Sequence, residues 1–265
     1  MKQDTSRFHV GAVSYLNTVP LIWGMAYGPE RDAIDLTFSI PSECAQQLEQ
    51  DRIDVGLVPV AEIARQGLEI ISDVGITCFG PVRSILLFSR VPWRSIRTLA
   101  ADASSRTSVQ LARVILSECF GITPVIHEHV PMLTDMLAES DAALVIGDPA
   151  LRLDPEQLPY NWLDLGSEWT KLTGLPMVFA AWAGKSTNEP LSGILRRSYE
   201  FGRHRIDEIA RQEYEHRGVS CELAKRYLTE YIRFEIGPKE REGLRTFLTM
   251  ANLGKADHVL ATTTI

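Results

Sequence analysis

The sequence predicts an α/β protein of two lobes with a helical C-terminal tail. Three observations carry this expectation. Apolar, strand-like runs alternate with helix-like segments over residues 8–182, the pattern of parallel strands covered by helices on both faces. A weak repeat lies inside that stretch. Leu48 precedes Asp54-Val55-Gly56-Leu57-Val58, and Leu137 precedes Asp141-Ala142-Ala143-Leu144-Val145; both read as helix, turn and strand. The last third carries helix punctuation instead, with Asn188 and Ser220 as caps, Pro190 just inside a start, and Gly218, Gly237 and Gly254 as stops.

In order along the chain, residues 8–13 read as a first buried strand that turns through 14–18 into a helix-like segment, 19–26. Residues 35–40 alternate apolar and polar and read as a strand. Pro41-Ser42-Glu43 opens a helix to Leu48, with Ser42 able to cap it. Strands follow at 54–60, 68–76 and 84–89, the last two joined by Gly80-Pro81-Val82-Arg83. The order then begins again: strand 98–102, helix 107–119 with Leu111, Val114 and Ile115 on one face, strand 124–128, helix 131–138, strand 141–146. Residues 152–171 read as a loop-rich connection and 175–182 as a strongly apolar strand. Three helices, 188–217, 220–235 and 239–252, complete the chain. Residues 84–89 are expected to lead out of the first lobe and 175–182 back into it. One discontinuous lobe would then hold 1–89 and 176–265, the other 90–175, with a ligand cleft between them.

Composition narrows the class. The chain has 265 residues, 45% hydrophobic and 23% charged, as in ordinary globular proteins. No apolar run approaches the ~20 residues that span a bilayer. The start, Met1 to Arg7, is polar and runs into a strand without an apolar leader. The four cysteines form no CxxC pair and read as reduced thiols. Together these features predict a cytoplasmic protein. A net charge of −7 argues against nucleic acid as a partner. It leaves room for a small anion, because charges are screened beyond ~8 Å at physiological salt.

Several motifs can be set aside. Gly184-Lys185-Ser186 looks like the end of a P-loop, but Phe179 stands where that motif needs glycine. GxGxxG, GxSxG and HExxH are absent from the sequence. His127-Glu128-His129 could put two imidazoles on one strand face, but a metal needs further ligands. These histidines read as structural or solvated.

Two stretches stand out. Ser14-Tyr15-Leu16-Asn17-Thr18 and Ser104-Ser105-Arg106-Thr107-Ser108 each follow a strand and open a helix. Free backbone N–H groups at such a start can hold an anion. Ligands of α/β sheets bind beyond the carboxyl ends of strands. The pair reads as two half-sites facing one ligand. Singly, Ser105 or Thr107 could merely cap a helix, Asp148 could be a loop acid, and Ser84 would mean little.

The set SYLNT at 14–18, PSECA at 41–45, DVGLVPV at 54–60, GPVRS at 80–84, IGDPAL at 146–151, LGSEW at 165–169 and TGLPMVFAAW at 173–182 resembles the MqnA family. These are the chorismate dehydratases of the futalosine route to menaquinone. The resemblance runs over 8–183 and more loosely through the tail. It implies a fold like the type II periplasmic binding proteins. It implies loss of water from chorismate to give 3-[(1-carboxyvinyl)oxy]benzoate, with no cofactor and no metal. A sister enzyme acting on cyclic dehypoxanthine futalosine has a histidine near the position of Gly147-Asp148, and its absence here favours the chorismate enzyme. By the resemblance, Asn17 and Ser84 are tied to substrate and catalysis, and the substrate's own side-chain carboxylate takes the proton. On this footing Thr107 and Ser108 hold one carboxylate and Arg106 adds charge. Ser14 and Ser42 are further contacts, and Asp148 receives or relays a proton. A binding protein without chemistry and the effector domain of a regulator are the rival classes. The oligomeric state is left open.

Overall fold

The computed structural model describes residues 7–102, 106–185 and 189–253. The chain runs β1 (Phe8–Val13), α1 (Val19–Tyr27), β2 (Ile34–Ser39), α2 (Pro41–Glu49), β3 (Val55–Pro59), α3 (Val60–Gln66) and β4 (Glu69–Cys78). It continues β5 (Ile85–Ser89), β6 (Thr98–Ala101), α4 (Arg106–Phe120), β7 (Val125–Glu128), α5 (Leu133–Glu139), β8 (Ala142–Ile146), α6 (Gly147–Leu151), β9 (Asn161–Asp164) and α7 (Leu165–Thr173). Then come β10 (Met177–Gly184), α8 (Glu189–Arg203), α9 (Ile206–Arg217), α10 (Cys221–Arg226), a π-helical turn (Tyr227–Tyr231), β11 (Arg233–Glu235) and α11 (Pro238–Met250).

The strands form two sheets. One has the order β11-β4-β10-β3-β1-β2, the other β7-β6-β8-β5-β9. β1 pairs in parallel with β2 and β3, and β6 in parallel with β7 and β8. The sheets are mixed rather than parallel throughout. β10 lies antiparallel between β3 and β4, and β5 antiparallel between β8 and β9. The internal repeat is real at this level: β3 and β8, the two echoing strands, occupy the same place in their sheets.

Four stretches differ from expectation. Val60–Gln66 is a helix where the sequence reading ends a strand at Val60 and assigns nothing further before 68. Pro59 closes that strand, and Gly67 ends the helix at a φ of 65°. The expected loop 152–171 contains β9 and most of α7. Asp164 caps α7 by accepting the Ser167 N–H at 3.0 Å, and Trp169 is fully buried. The expected helix 188–217 is two helices, with Arg205 out of helical geometry at φ −126°. The expected helix 220–235 stops early and ends in β11, because Ile232, Phe234 and Ile236 are all buried with period two.

Packing follows the alternation. Leu86 and Phe88 of β5 face a small core with Met136, Ala143 and Val145, while Leu87 joins the main core with Leu144. In the first sheet β3 is buried at every residue, as a strand covered on both faces must be. α8 lies against α1 at close range. A Cβ on Gly202 would sit 2.1 Å from the Pro20 carbonyl oxygen, so only glycine permits this approach. The Ser198 hydroxyl donates to the Leu21 carbonyl at 2.8 Å, and the Met25 N–H donates to the Ser198 hydroxyl at 3.1 Å. Among the described residues no helix is long and apolar enough to cross a membrane.

Candidate active site

The turn after β1 brings Asn17 to the site. The Tyr15 N–H bonds back to the Val13 carbonyl at 3.0 Å, and Leu16–Thr18 form a 3-10 turn before Pro20 sets the start of α1. The Leu16 N–H, expected to be free for a ligand, instead donates to Asp148 Oδ1 at 3.0 Å.

The loop 80–84 presents Ser84, and three anchors fix it. The Asp164 carboxylate accepts N–H bonds from Val82 and Arg83 at 3.0 and 2.6 Å. Burial pushes the Asp164 carboxyl up, and these N–H groups with that of Ser167 work against the rise. The Arg83 guanidinium donates to the Ala150 and Leu153 carbonyls. The Ser84 carbonyl accepts the Gly147 N–H at 2.8 Å. Arg83 itself has a φ of 63°, at the centre of a turn closed by the Ser84 N–H on the Val82 carbonyl at 2.7 Å. A non-glycine residue held there is strained and persists only where its surroundings over-determine it.

These turns open on one cavity of about 600 Å³, counted with the part open to solvent. Its polar wall is Tyr15, Asn17, Thr18, Ser84, Thr107 and Ser108. Its apolar wall includes Leu57, Ile76, Val82 and Phe179. The wall thus takes residues from both sheets, and among the described residues no charged side chain lines it. Gly147 also lines it, at a φ of 64°, with the Tyr15 ring 2.7 Å from where a Cβ would stand.

Of the residues singled out in the sequence, Asn17, Ser84, Thr107 and Ser108 meet at this cavity. Thr107 is buried, and its hydroxyl accepts the Ala61 N–H at 3.2 Å, joining α4 to α3. Arg106 turns instead to the buried carboxylate of Glu62, at 3.2 Å. Burial would raise the Glu62 carboxyl, but bonds from Arg65 and Gln66 and the charge of Arg106 hold it below its ordinary value. Ser14 is exposed, and its carbonyl accepts from Arg217 at 2.8 Å. Asp148 is buried outside the wall, 3.0 Å from Arg217. The side chain of Ser42, like residues 103–105, lies outside the described residues.

Sequence reasoning missed Tyr227. This fully buried phenol joins the two turns: Asn17 Nδ2 donates to its oxygen at 3.0 Å, and it donates to Ser84 Oγ at 2.8 Å. Burial pushes its pKa far above the ordinary value, so it stays protonated. It sits on the π-helical turn 227–231, an irregularity common at functional sites; the letters alone read there as continuous helix. His127 is exposed, and His129 bonds the Val130 carbonyl at 2.8 Å. Among the described residues no group of His, Cys, Asp and Glu side chains is arranged to hold a metal.

Comparisons with known proteins bear on the fold and the family. A protein of Archaeoglobus fulgidus superposes with a TM-score of 0.76 at 16% identity, over 94% of this chain and 98% of that one. The alkanesulfonate-binding protein of Xanthomonas axonopodis pv. citri, solved with MOPS, superposes at 0.67 with 12% identity, over 96% of each chain. The fold is therefore that of the periplasmic binding proteins, and C-terminal helices are present. The chorismate dehydratase of Thermus thermophilus is 26% identical over 258 residues, 90% of this chain and 93% of its own. That of Campylobacter jejuni is 27% identical over 243 residues, 90% and 95% of the two chains. The menaquinone biosynthesis family matches residues 8–253, and the chain belongs to that family.

Proposed function

We propose that the protein is a chorismate dehydratase, converting chorismate to 3-[(1-carboxyvinyl)oxy]benzoate and water. The observation that carries this is the single cavity where Asn17 and Ser84 from one side meet Thr107 and Ser108 from the other. The relatives that bear this name span nearly the whole chain, which supports the reading.

The chemistry suits an uncharged wall. Chorismate is a dianion, and its carboxylates need donors more than fixed charges. Thr107 and Ser108, on the first turn of α4, offer hydroxyls beside a helix N-terminus. That end favours an anion by ~0.3–1 kcal/mol, and up to ~2 when partly buried. Asn17 and Ser84 address the ring carboxylate or the departing hydroxyl. The electron pair of the ring C–H bond becomes the new ring π bond as the neighbouring C–O bond breaks. The freed proton ends on the hydroxyl, which leaves as water. Aromatisation drives the step, so the protein has to orient the substrate and exclude solvent. Among the described residues the wall offers no carboxylate, imidazole or amine to act as base. This supports the substrate's own side-chain carboxylate as the proton acceptor.

In this reading residues 1–89 with 176–265, and residues 90–175, are two lobes that close on the substrate. The strand 85–89 pairs only with β8 and β9 of the second sheet, so the passage out of the first lobe falls in the turn 80–84 before it. Arg106, Asp148 and Ser14 then support the walls. The substrate is a cytoplasmic metabolite, and the protein acts in the cytoplasm without nucleic acid or membrane.

The test is incubation of the purified protein with chorismate alone, followed by mass. The expected product is lighter by one water, aromatic, and still bears the enolpyruvyl side chain. Unchanged chorismate from folded protein would overturn the proposal.

A further inference from the structure

The hydrogen-bond chain behind the cavity has a direction, and the direction assigns a role. An amide nitrogen can only donate, so Asn17 Nδ2 gives a hydrogen to the Tyr227 oxygen at 3.0 Å. A phenol has one hydrogen. With Asn17 donating, that hydrogen goes to Ser84 Oγ, 2.8 Å away. Ser84 therefore enters the cavity with one lone pair already engaged and its own hydrogen free to donate. The Asn17 orientation sets this direction, since an amide turned over would accept the phenol's hydrogen at Oδ1 and reverse the relay.

Burial closes off the alternatives. Tyr227 is only 1% exposed and Ser84 2%, so bulk water does not compete for either hydroxyl. The phenol is held from the far end of the chain. It follows α10 on the π-helical turn, whose final backbone bond runs from the Ile232 N–H to the Tyr227 carbonyl at 3.1 Å. A catalytic pair on the turns 14–18 and 80–84 is thus aligned by a residue from a third segment.

We propose that Tyr227 is the positioning residue of this site: through its hydroxyl it sets Ser84 as a hydrogen-bond donor toward the substrate and holds the Asn17 amide in register with it. Tyr227 does not itself touch the substrate; it acts through Ser84 and Asn17. The inference rests on the dehydratase reading for the identity of the substrate.

The experiment is a double-mutant cycle on the full chain, with wild type, Tyr227→Phe, Ser84→Ala and the double variant. Phenylalanine removes only the hydroxyl, and thermal unfolding of each variant checks the fold. With chorismate, Tyr227→Phe is expected to lower kcat roughly ten- to a hundredfold, the range for losing a hydrogen bond to a polarised group, while KM stays within about twofold. The double variant is expected to be slower than Ser84→Ala only by the part of the Tyr227 effect that runs through Asn17, well short of the product of both losses, because residues acting as a unit are non-additive. A Tyr227→Phe enzyme with normal kcat, or a double variant showing the product of both losses, overturns the proposal. Wild type that leaves chorismate unchanged defeats the dehydratase reading instead. The relay is then judged by calorimetric binding of 3-hydroxybenzoate to the same four proteins. Equal, non-additive weakening in the variants upholds it; additive weakening, none, or no binding at all overturns it.

Discussion

Arg217 reaches Asp148 across 69 positions of sequence, donating from Nη1 to Oδ2 at 3.0 Å, and the same nitrogen donates to the Ser14 carbonyl at 2.8 Å. One guanidinium thereby ties α9 to α6, just beyond β8, and to the turn that carries Asn17. Burial opposes the Arg217 cation, but Glu213 and Asp148 outweigh it and raise its pKa. Asp148 is the partner that suffers from burial: its carboxyl is pushed up despite the Leu16 N–H and Arg217.

Removing the cation should expose that burden. Arg217→Met leaves Asp148 buried and unpaired, and such losses amount to about 3–5 kcal/mol. The sign with pH follows. A carboxyl whose folded pKa lies above its unfolded value destabilises the fold as pH rises through that interval. The deficit of Arg217→Met should therefore shrink as pH falls from 7 toward the ordinary carboxylate range, near 4. Urea unfolding across that range measures it; a deficit that grows on acidification would contradict the account.

Asp141 should show the opposite sign. Its carboxylate accepts the Arg97 and Thr98 N–H groups at 2.9 and 3.1 Å, and these bonds, with Arg90, hold its pKa down against slight burial. A depressed carboxyl contributes stability above its unfolded pKa and loses it as pH falls through the folded one. Asp141→Ala is expected to lose about 1–3 kcal/mol at pH 7. The difference from wild type should close below the ordinary carboxylate range, by the same urea measurement.

Asn17→Ala and Ser84→Ala should each reduce turnover of chorismate by about 10²–10³-fold, as for loss of a positioned donor. Circular dichroism and melting temperature should stay near wild type. Near-normal turnover in both variants would remove these residues from the site.

Gly147 and Gly67 form a matched pair for a substitution test. Both have φ near 65°, but a Cβ on Gly147 meets the Tyr15 ring at 2.7 Å while one on Gly67 meets nothing within 4 Å. Gly67→Ala should lose only the left-handed strain, roughly 1–2 kcal/mol. Gly147→Ala should lose more and also displace Tyr15 from the cavity wall, raising KM. Equal effects on stability and on KM would show that the Tyr15 contact is unimportant.

Much of this was legible from the letters. The strand positions follow from short apolar runs, and Asn17, Ser84, Thr107 and Ser108 meet at one cavity because each closes or opens an element at the same end of its sheet. What stayed hidden depends on distant partners. Asp148 looks like a free loop acid until α9 delivers Arg217 to it. Arg106 looks available for an anion until α3, unassigned in the sequence beyond Val60, delivers Glu62. Tyr227 carries no local signal, because a π-helical turn is made by tertiary packing rather than by a residue pattern. β11 was readable in principle from Ile232, Phe234 and Ile236, but strong capping by Ser220, whose hydroxyl accepts the Leu223 N–H at 3.1 Å, advertises a longer helix than forms.

The strand order of the two sheets also dictates an order of assembly during synthesis. All five strands of the second sheet lie within residues 85–164, so this sheet can form on a nascent chain that has just emerged. The first sheet cannot. β10 stands between β3 and β4, so β4, buried along nearly its whole length in the finished protein, has no neighbour on either side until Met177–Gly184 and then Arg233–Glu235 are made. A ten-residue strand with both edges unpaired waits through most of translation, the kind of segment that invites aggregation or a chaperone. The first sheet to be started is the last to be finished.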